Sequence, residues 1–211
     1  MSEVRLCVFC GPSLPPEDRI AIQGVTYEPP AARGDVERAA AAYDAILLID
    51  GVFHHDLAPS PKEVYNALAH VRLFAASSMG ALRGAECAPY GAVPLGIIAR
   101  WYVAEVIDGD DEVAVLVDPA TQRALTVPSV NVRYVAWLAR RRGVLSRAEA
   151  EAMIVKARDV FYMDRSWEDV VAAAPERARE QIRAIAAREG DLKRHDARFA
   201  LRSTLRALSR P

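Results

Sequence analysis

A chain of 211 residues that is 52% hydrophobic and 26% charged has the make-up of a globular protein with a substantial core. No apolar run approaches the roughly 20 residues of a membrane helix, and the opening MSEVRLCVFCG lacks the layout of a secretory signal, so a cytoplasmic protein is expected. Net charge is only −1, which excludes a chain governed by one sign of charge.

Val4–Cys10 reads as a buried strand stopped by Gly11-Pro12. A Pro-rich loop follows, with Pro15-Pro16 and Pro29-Pro30. Asp35 is placed to cap a short helix, Val36–Tyr43, and Ala45–Ile49 is a second buried strand ending in Asp50-Gly51. Ser60-Pro61-Lys62-Glu63 signals a helix start: serine caps, proline takes the first helical position, and glutamate falls three after serine. That helix is expected to run to about His70. Leu73–Ala76 is a third strand and Met79–Cys87 the helix after it. Between Leu95 and Val127 the pattern predicts irregular structure with short strands, Glu112–Val117 among them. Val130–Arg141 is helical, and beyond it the chain turns wholly helical, with capping boxes at Ser146 and Ser166, a segment opened by Pro175, and a last helix from Asp191 to about Leu208. The alternation predicts an α/β fold: a parallel sheet core with right-handed crossovers in the N-terminal two thirds, followed by an all-helical C-terminal region. A soft boundary near Gly143 gives domains at 1–143 and 144–211.

In a parallel α/β unit, strands end and helices begin at one edge, where ligands collect. Connectivity alone puts Gly11 and Ser13, Asp50 and Gly51, Lys62, Ser77 and Ser78 on that edge. Ala76-Ser77-Ser78-Met79-Gly80 has the shape of a nucleophile elbow with alanine for the first glycine. The pattern favours Ser78 as nucleophile, with the N–H groups of Met79 and Gly80 as oxyanion donors; Ser77 is the alternative, and helix capping by both is the structural reading. Among 27 basic side chains only Lys62, Lys156 and Lys193 are lysines. Arginine cannot act as a base at usable pH, whereas a desolvated lysine beside a helix N-terminus can, so Lys62 is the expected base or else a plain surface lysine. His195, in a charged stretch, and His54 and His55, in a loop, are weaker candidates. Arg83 either binds a carboxylate or pairs with Glu86.

Cys7 and Cys10 form a C-x-x-C, but on a strand residues three apart face opposite ways, so a structural role is expected for both. The acidic run Asp108-Gly109-Asp110-Asp111-Glu112 matches no calcium loop, and no metal site is expected; it is a solvated turn or a partner contact. From Arg177 to Pro211 ten Lys/Arg face four Asp/Glu, making that tail +6 and the rest −7. No RNA-binding aromatic pattern accompanies it, so nucleic acid is not expected; the tail is an exposed helical face or a dock for an acidic partner.

Several segments resemble the TfuA family, companions of YcaO enzymes. The resemblance rests on Phe9 with Gly11-Pro12-Ser13-Leu14, on Ile49-Asp50-Gly51-Val52-Phe53 and Pro61-Lys62-Glu63-Val64, and on Ala76-Ser77-Ser78-Met79-Gly80-Ala81-Leu82-Arg83-Gly84-Ala85-Glu86. It continues in Gly109-Asp110-Asp111-Glu112-Val113-Ala114 and Val130-Asn131-Val132-Arg133. Gly84 departs from it, since the family usually has alanine there. The resemblance implies a role in peptide-backbone thioamidation, in which the YcaO partner uses ATP and this chain needs no cofactor of its own. It implies hydrolysis of the thiocarboxylate of a ThiS-like, ubiquitin-fold sulfur carrier by a Ser–Lys pair, carried over by position to Lys62 with Ser78 or Ser77. It also implies that the chain helps YcaO engage its precursor peptide. Asp110, Asp111 and Glu112 are then a possible partner site. The competing reading is a non-catalytic adaptor that docks YcaO, carrier and peptide.

Overall fold

The computed structural model describes residues 4–53 and 57–209. Among them, a parallel sheet of five strands runs in the order β2 (Val25–Glu28), β1 (Leu6–Phe9), β3 (Ala45–Leu48), β4 (Arg72–Ala76), β5 (Val93–Leu95). Between strands lie α1 (Asp35–Ala42), α2 (Pro61–Ala67) and α3 (Met79–Cys87); α4 (Gly96–Val103) follows β5. The expected α/β core with a helical C-terminal region is present. The central strands are buried on both faces, as a parallel sheet requires, and so read as continuous apolar runs. Alternation along β1 divides them: Cys7 and Phe9 pack with Val36, Ala39 and Val64 on one side. Leu6, Val8 and Cys10 pack with Leu47, Ile49, Phe74, Ala197, Ala200 and Leu201 on the other. Each fully buried Leu or Ile here contributes about 2 kcal/mol.

The chain separates into two compact units: residues 1–108 with 193–211, and residues 109–192. This division differs from the boundary expected near Gly143. The physical reason is that α9 (Leu192–Leu208) lays its apolar face on the first unit's sheet. The second unit has its own core, built from α5 (Ser129–Arg141), α6 (Arg147–Arg158), α7 (Trp167–Ala173) and α8 (Arg179–Glu189) around Val135, Met153, Val170 and Ile182. The capping boxes expected at Ser146 and Ser166 open α6 and α7, each with its reciprocal carboxylate bond from Glu149 or Asp169.

Three elements depart from the sequence expectation. β2 lies inside the stretch expected to be loop, and its four residues are only half-buried, which weakens the strand signal. β5 contains Pro94 and occupies the sheet edge, where a missing N–H is tolerated. α4 replaces irregular structure; its start carries no local side-chain cap, because the cap comes from Asp196, whose carboxylate accepts from the N–H of Ile98 at 2.7 Å. No strand forms over Glu112–Val117; there is a short 3-10 turn at Asp110–Glu112 and one isolated bridge between Val117 and Ala124.

Two glycines set how α3 meets the sheet. A Cβ on Gly80 would lie 1.9 Å from the carbonyl oxygen of Leu48, so only glycine lets the first turn of α3 reach β3. A Cβ on Gly84 would lie 2.6 Å from that of Ala75, which accounts for the glycine at this position.

Candidate functional site

β4 ends at Ala76 and α3 begins at Met79, leaving two serines to make the turn. Ser77 takes φ 68, one of three non-glycine residues with positive φ among the described residues. A left-handed L-residue costs about 1–2 kcal/mol, and such strain collects where a site needs it. Ser78 follows with φ −102 and ψ −128 as the N-cap of α3. The A-S-S-M-G spacing puts the elbow's special residue at Ser78; the strand-to-helix turn carries its positive φ at the first serine instead, one position earlier.

The two hydroxyls have different fates. Ser77 is fully buried, and its Oγ donates to the main-chain carbonyl of Lys193 at 2.8 Å. Ser78 is 3% exposed and its side chain makes no cap hydrogen bond. The first-turn amides differ in the same way. The Gly80 N–H donates to the Ile49 carbonyl at 3.0 Å and is committed, which removes it from the expected oxyanion donors. The Met79 N–H has no hydrogen bond among the described residues.

Lys62 sits where connectivity places it, at the second position of α2, after Ser60, whose Oγ accepts from the Glu63 N–H at 3.2 Å, and Pro61. Its side chain is exposed and makes no hydrogen bond or ion pair among the described residues. The desolvated amine expected from burial is therefore not seen: the residue at N2 faces water while the next one turns inward. Glu63 is the buried one. Rather than completing a capping box, its carboxylate accepts from the N–H groups of Gly34 at 2.9 Å and Val36 at 3.0 Å, so it caps α1. Arg83 pairs with Glu86 at 2.6 Å and donates to the Pro59 carbonyl at 2.7 Å, fixing the segment before α2 onto α3.

At the ends of β1 and β3, where strand order changes direction, Asp50 is buried. Its carboxylate accepts from the Gly11 N–H at 2.8 Å, the Ser13 N–H at 3.1 Å and the Ser13 hydroxyl at 2.6 Å. Just beyond, Ala31 and Gly51 form a parallel bridge past the end of β1. Gly11, Ser13 and Asp50 do come together as expected, but they satisfy one another and stitch the switch point shut. Gly51 packs under Met79, since a Cβ there would lie 2.9 Å from the Met79 Cγ. The edge offers its uncommitted groups at the elbow.

Cys7 and Cys10 belong to opposite cores, as the strand argument required, and burial pushes each thiol up to about 12. No group of three metal-ligating side chains is gathered among the described residues. His54 and His55 lie outside the described residues, and His195 is exposed, its Nδ1 3.4 Å from Asp196.

In the second unit the acidic motif is only partly solvated. Asp110 is exposed and Asp111 half-buried, but Glu112 is 1% exposed. Its carboxylate takes two bonds from Arg133, at 2.9 and 2.5 Å, with Arg158 at 3.6 Å. Glu112 is thus an internal anchor rather than the partner contact considered for it. The other half of the Arg133 segment is structural too: Asn131 Oδ1 accepts from the Leu192 N–H at 3.0 Å. These roles were not assigned from the sequence, although the paired motifs carried the signal.

No curated protein matches the chain. A family model described as TfuA-like protein matches residues 50–166, more than half of its length. That span takes in Asp50, Lys62, both serines, Arg83, the acidic motif and Arg133.

Proposed function

The chain belongs to the TfuA-like family, and from that membership together with the elbow at Ser77-Ser78 we propose that it releases sulfide from a thiocarboxylated, ubiquitin-like carrier for a YcaO partner that thioamidates peptides. The observation that carries this reading is the left-handed Ser77, which turns the chain so that Ser78 sits at the N-terminus of α3 with its hydroxyl uncommitted.

In the proposed reaction the Ser78 Oγ attacks the thiocarboxylate carbon, a C–O bond forms, and the C–S bond breaks. Lys62, stripped of water by the docked carrier tail, takes the hydroxyl proton and passes it to the departing sulfur, which leaves as hydrosulfide. Water then cleaves the acyl ester: one of its protons restores the Ser78 hydroxyl, its oxygen stays with the carrier as a carboxylate, and the second proton is released to solvent. The Met79 N–H, at a helix N-terminus, is the donor for the tetrahedral anion. Ser78 is only 3% exposed, which favours an acyl group carried on an extended tail without side chains. No cofactor enters these steps; ATP belongs to the YcaO partner.

The test is to incubate the purified protein with a thiocarboxylated carrier and measure sulfide. Release that is lost in Ser78→Ala and Lys62→Met, with the fold retained, supports the reaction. The adaptor reading draws on one specific observation: Lys62 is exposed and makes no hydrogen bond or ion pair among the described residues. Absence of sulfide from the wild-type chain, with carrier and YcaO still captured, would establish the adaptor instead.

A further inference from the structure

The basic tail resolves into a row. On α9, Arg194, Arg198, Arg202 and Arg206 recur every four residues, so they stack along one side of the helix. Three of them, Arg198, Arg202 and Arg206, are exposed, and Phe199 stands among them at 49% exposure. The opposite side of the helix is spent on the sheet through Ala197, Ala200 and Leu201.

Like charges four apart on a helix oppose its formation, so the row carries a small standing cost. One end of it is already answered from within the same unit. Asp18 accepts from Arg194 at 2.5 Å and lies 3.8 Å from Arg198, while Glu17 lies 3.5 Å from Arg194. That hydrogen bond, with the charges of Arg194, Arg198 and Arg202, holds the Asp18 carboxyl below its usual range. Glu17 and Asp18 thus show what the row takes: carboxylates from a short turn. Arg202 and Arg206 make no hydrogen bond or ion pair among the described residues.

We propose that the exposed side of α9, around Arg198, Phe199, Arg202 and Arg206, docks a carboxylate-rich segment of a partner protein. Arginine and an exposed aromatic are the residue types that anchor protein interfaces. The charge complementarity is the one Glu17 and Asp18 display at the other end of the row. The proposal does not depend on the sulfide-releasing reaction, since none of these residues lies at the elbow.

The test uses the full chain and a short fluorescein-labelled glutamate-rich peptide carrying a central leucine, followed by fluorescence anisotropy. Binding is expected at low salt and should fall as salt rises, because exposed charges are screened over about 10 Å at 0.1 M. Arg202→Glu with Arg206→Glu should weaken it about tenfold, Phe199→Ala should weaken it too, and circular dichroism should be unchanged. Arg206→Glu alone serves if the double variant fails to fold. Undiminished affinity in the charge-reversed variant overturns the proposal, as does no binding at low salt. Tighter binding of a single-stranded oligonucleotide of matched charge would also overturn it, by assigning the row to nucleic acid.

Discussion

The Ser77 hydroxyl donates to the main-chain carbonyl of Lys193, 116 residues further on, at 2.8 Å. A residue in a strained backbone conformation is thus tied to the start of α9. The two effects separate by substitution. Ser77→Ala keeps the left-handed strain and strips a buried carbonyl of its donor, at a cost of about 1–3 kcal/mol. Ser77→Gly loses the same bond but relieves about 1–2 kcal/mol of strain. Urea unfolding should therefore rank Ser77→Gly as the milder change; a glycine variant less stable than the alanine one would refute the strain.

Ser78 should behave in the opposite way. An N-cap serine that bonds its helix loses about 1 kcal/mol on replacement by alanine, and Ser146, with a complete capping box, should do so. Ser78 makes no cap bond, so Ser78→Ala should cost less than about 0.5 kcal/mol. On the proposed reaction the same change lowers sulfide release at least about a thousandfold. A large stability loss with activity retained would return Ser78 to a capping role.

Gly80 and Gly84 make a graded pair. Gly80→Ala drives a methyl into the Leu48 carbonyl and should prevent folding, with a cost of about 4 kcal/mol or more. Gly84→Ala meets only the Cβ of Ala75 and should cost about 1–3 kcal/mol. Removing that methyl should restore room: Ala75→Gly with Gly84→Ala should be about 1 kcal/mol more stable than the two single costs sum to. Strict additivity in a double-mutant cycle would mean the two positions do not touch.

The elbow was legible because its signals are local: a buried run, two serines, a close-approach glycine and a helix beginning at Met79. What stayed hidden depends on distant residues or on rotation about an axis. α4 showed no start signal because its cap is Asp196. Connectivity placed Lys62 at the right edge, but whether N2 or N3 of α2 faces inward is a matter of helix rotation, and Glu63 took the buried place. The Arg133 and acidic motifs were visible as segments; their meeting as an ion pair required the packing of the second unit.

Asp196 gives a pH test with a definite sign. Burial pushes its carboxyl above the ordinary 3.8, only partly offset by the Ile98 N–H and by His195. The folded form therefore holds the proton more tightly than the unfolded chain. Its contribution is complete below the unfolded value and is lost as pH rises through the folded one. Asp196→Asn retains an oxygen acceptor for Ile98 and never ionises. The stability of that variant relative to wild type should improve as pH climbs from the acid side toward neutrality. A difference that does not change with pH would remove the buried carboxylate as its source.

The Glu112 carboxylate answers two guanidiniums at once, Arg133 through two bonds and Arg158 at longer range. The network is asymmetric, because Glu112 is buried and Arg158 is 44% exposed. Glu112→Ala takes two charge-assisted bonds from the mostly buried Arg133 and should cost about 3–5 kcal/mol. Arg158→Ala removes an arm that water already screens and should cost less than about 1 kcal/mol. Both losses belong to the second unit, where Arg133 holds the turn at Asp110–Glu112 onto α5. Hydrogen exchange should accordingly show faster exchange in α5 for Glu112→Ala, with β4 and α3 unaffected. Equal penalties for the two variants would mean that the acidic motif is an exposed cluster and not an anchor.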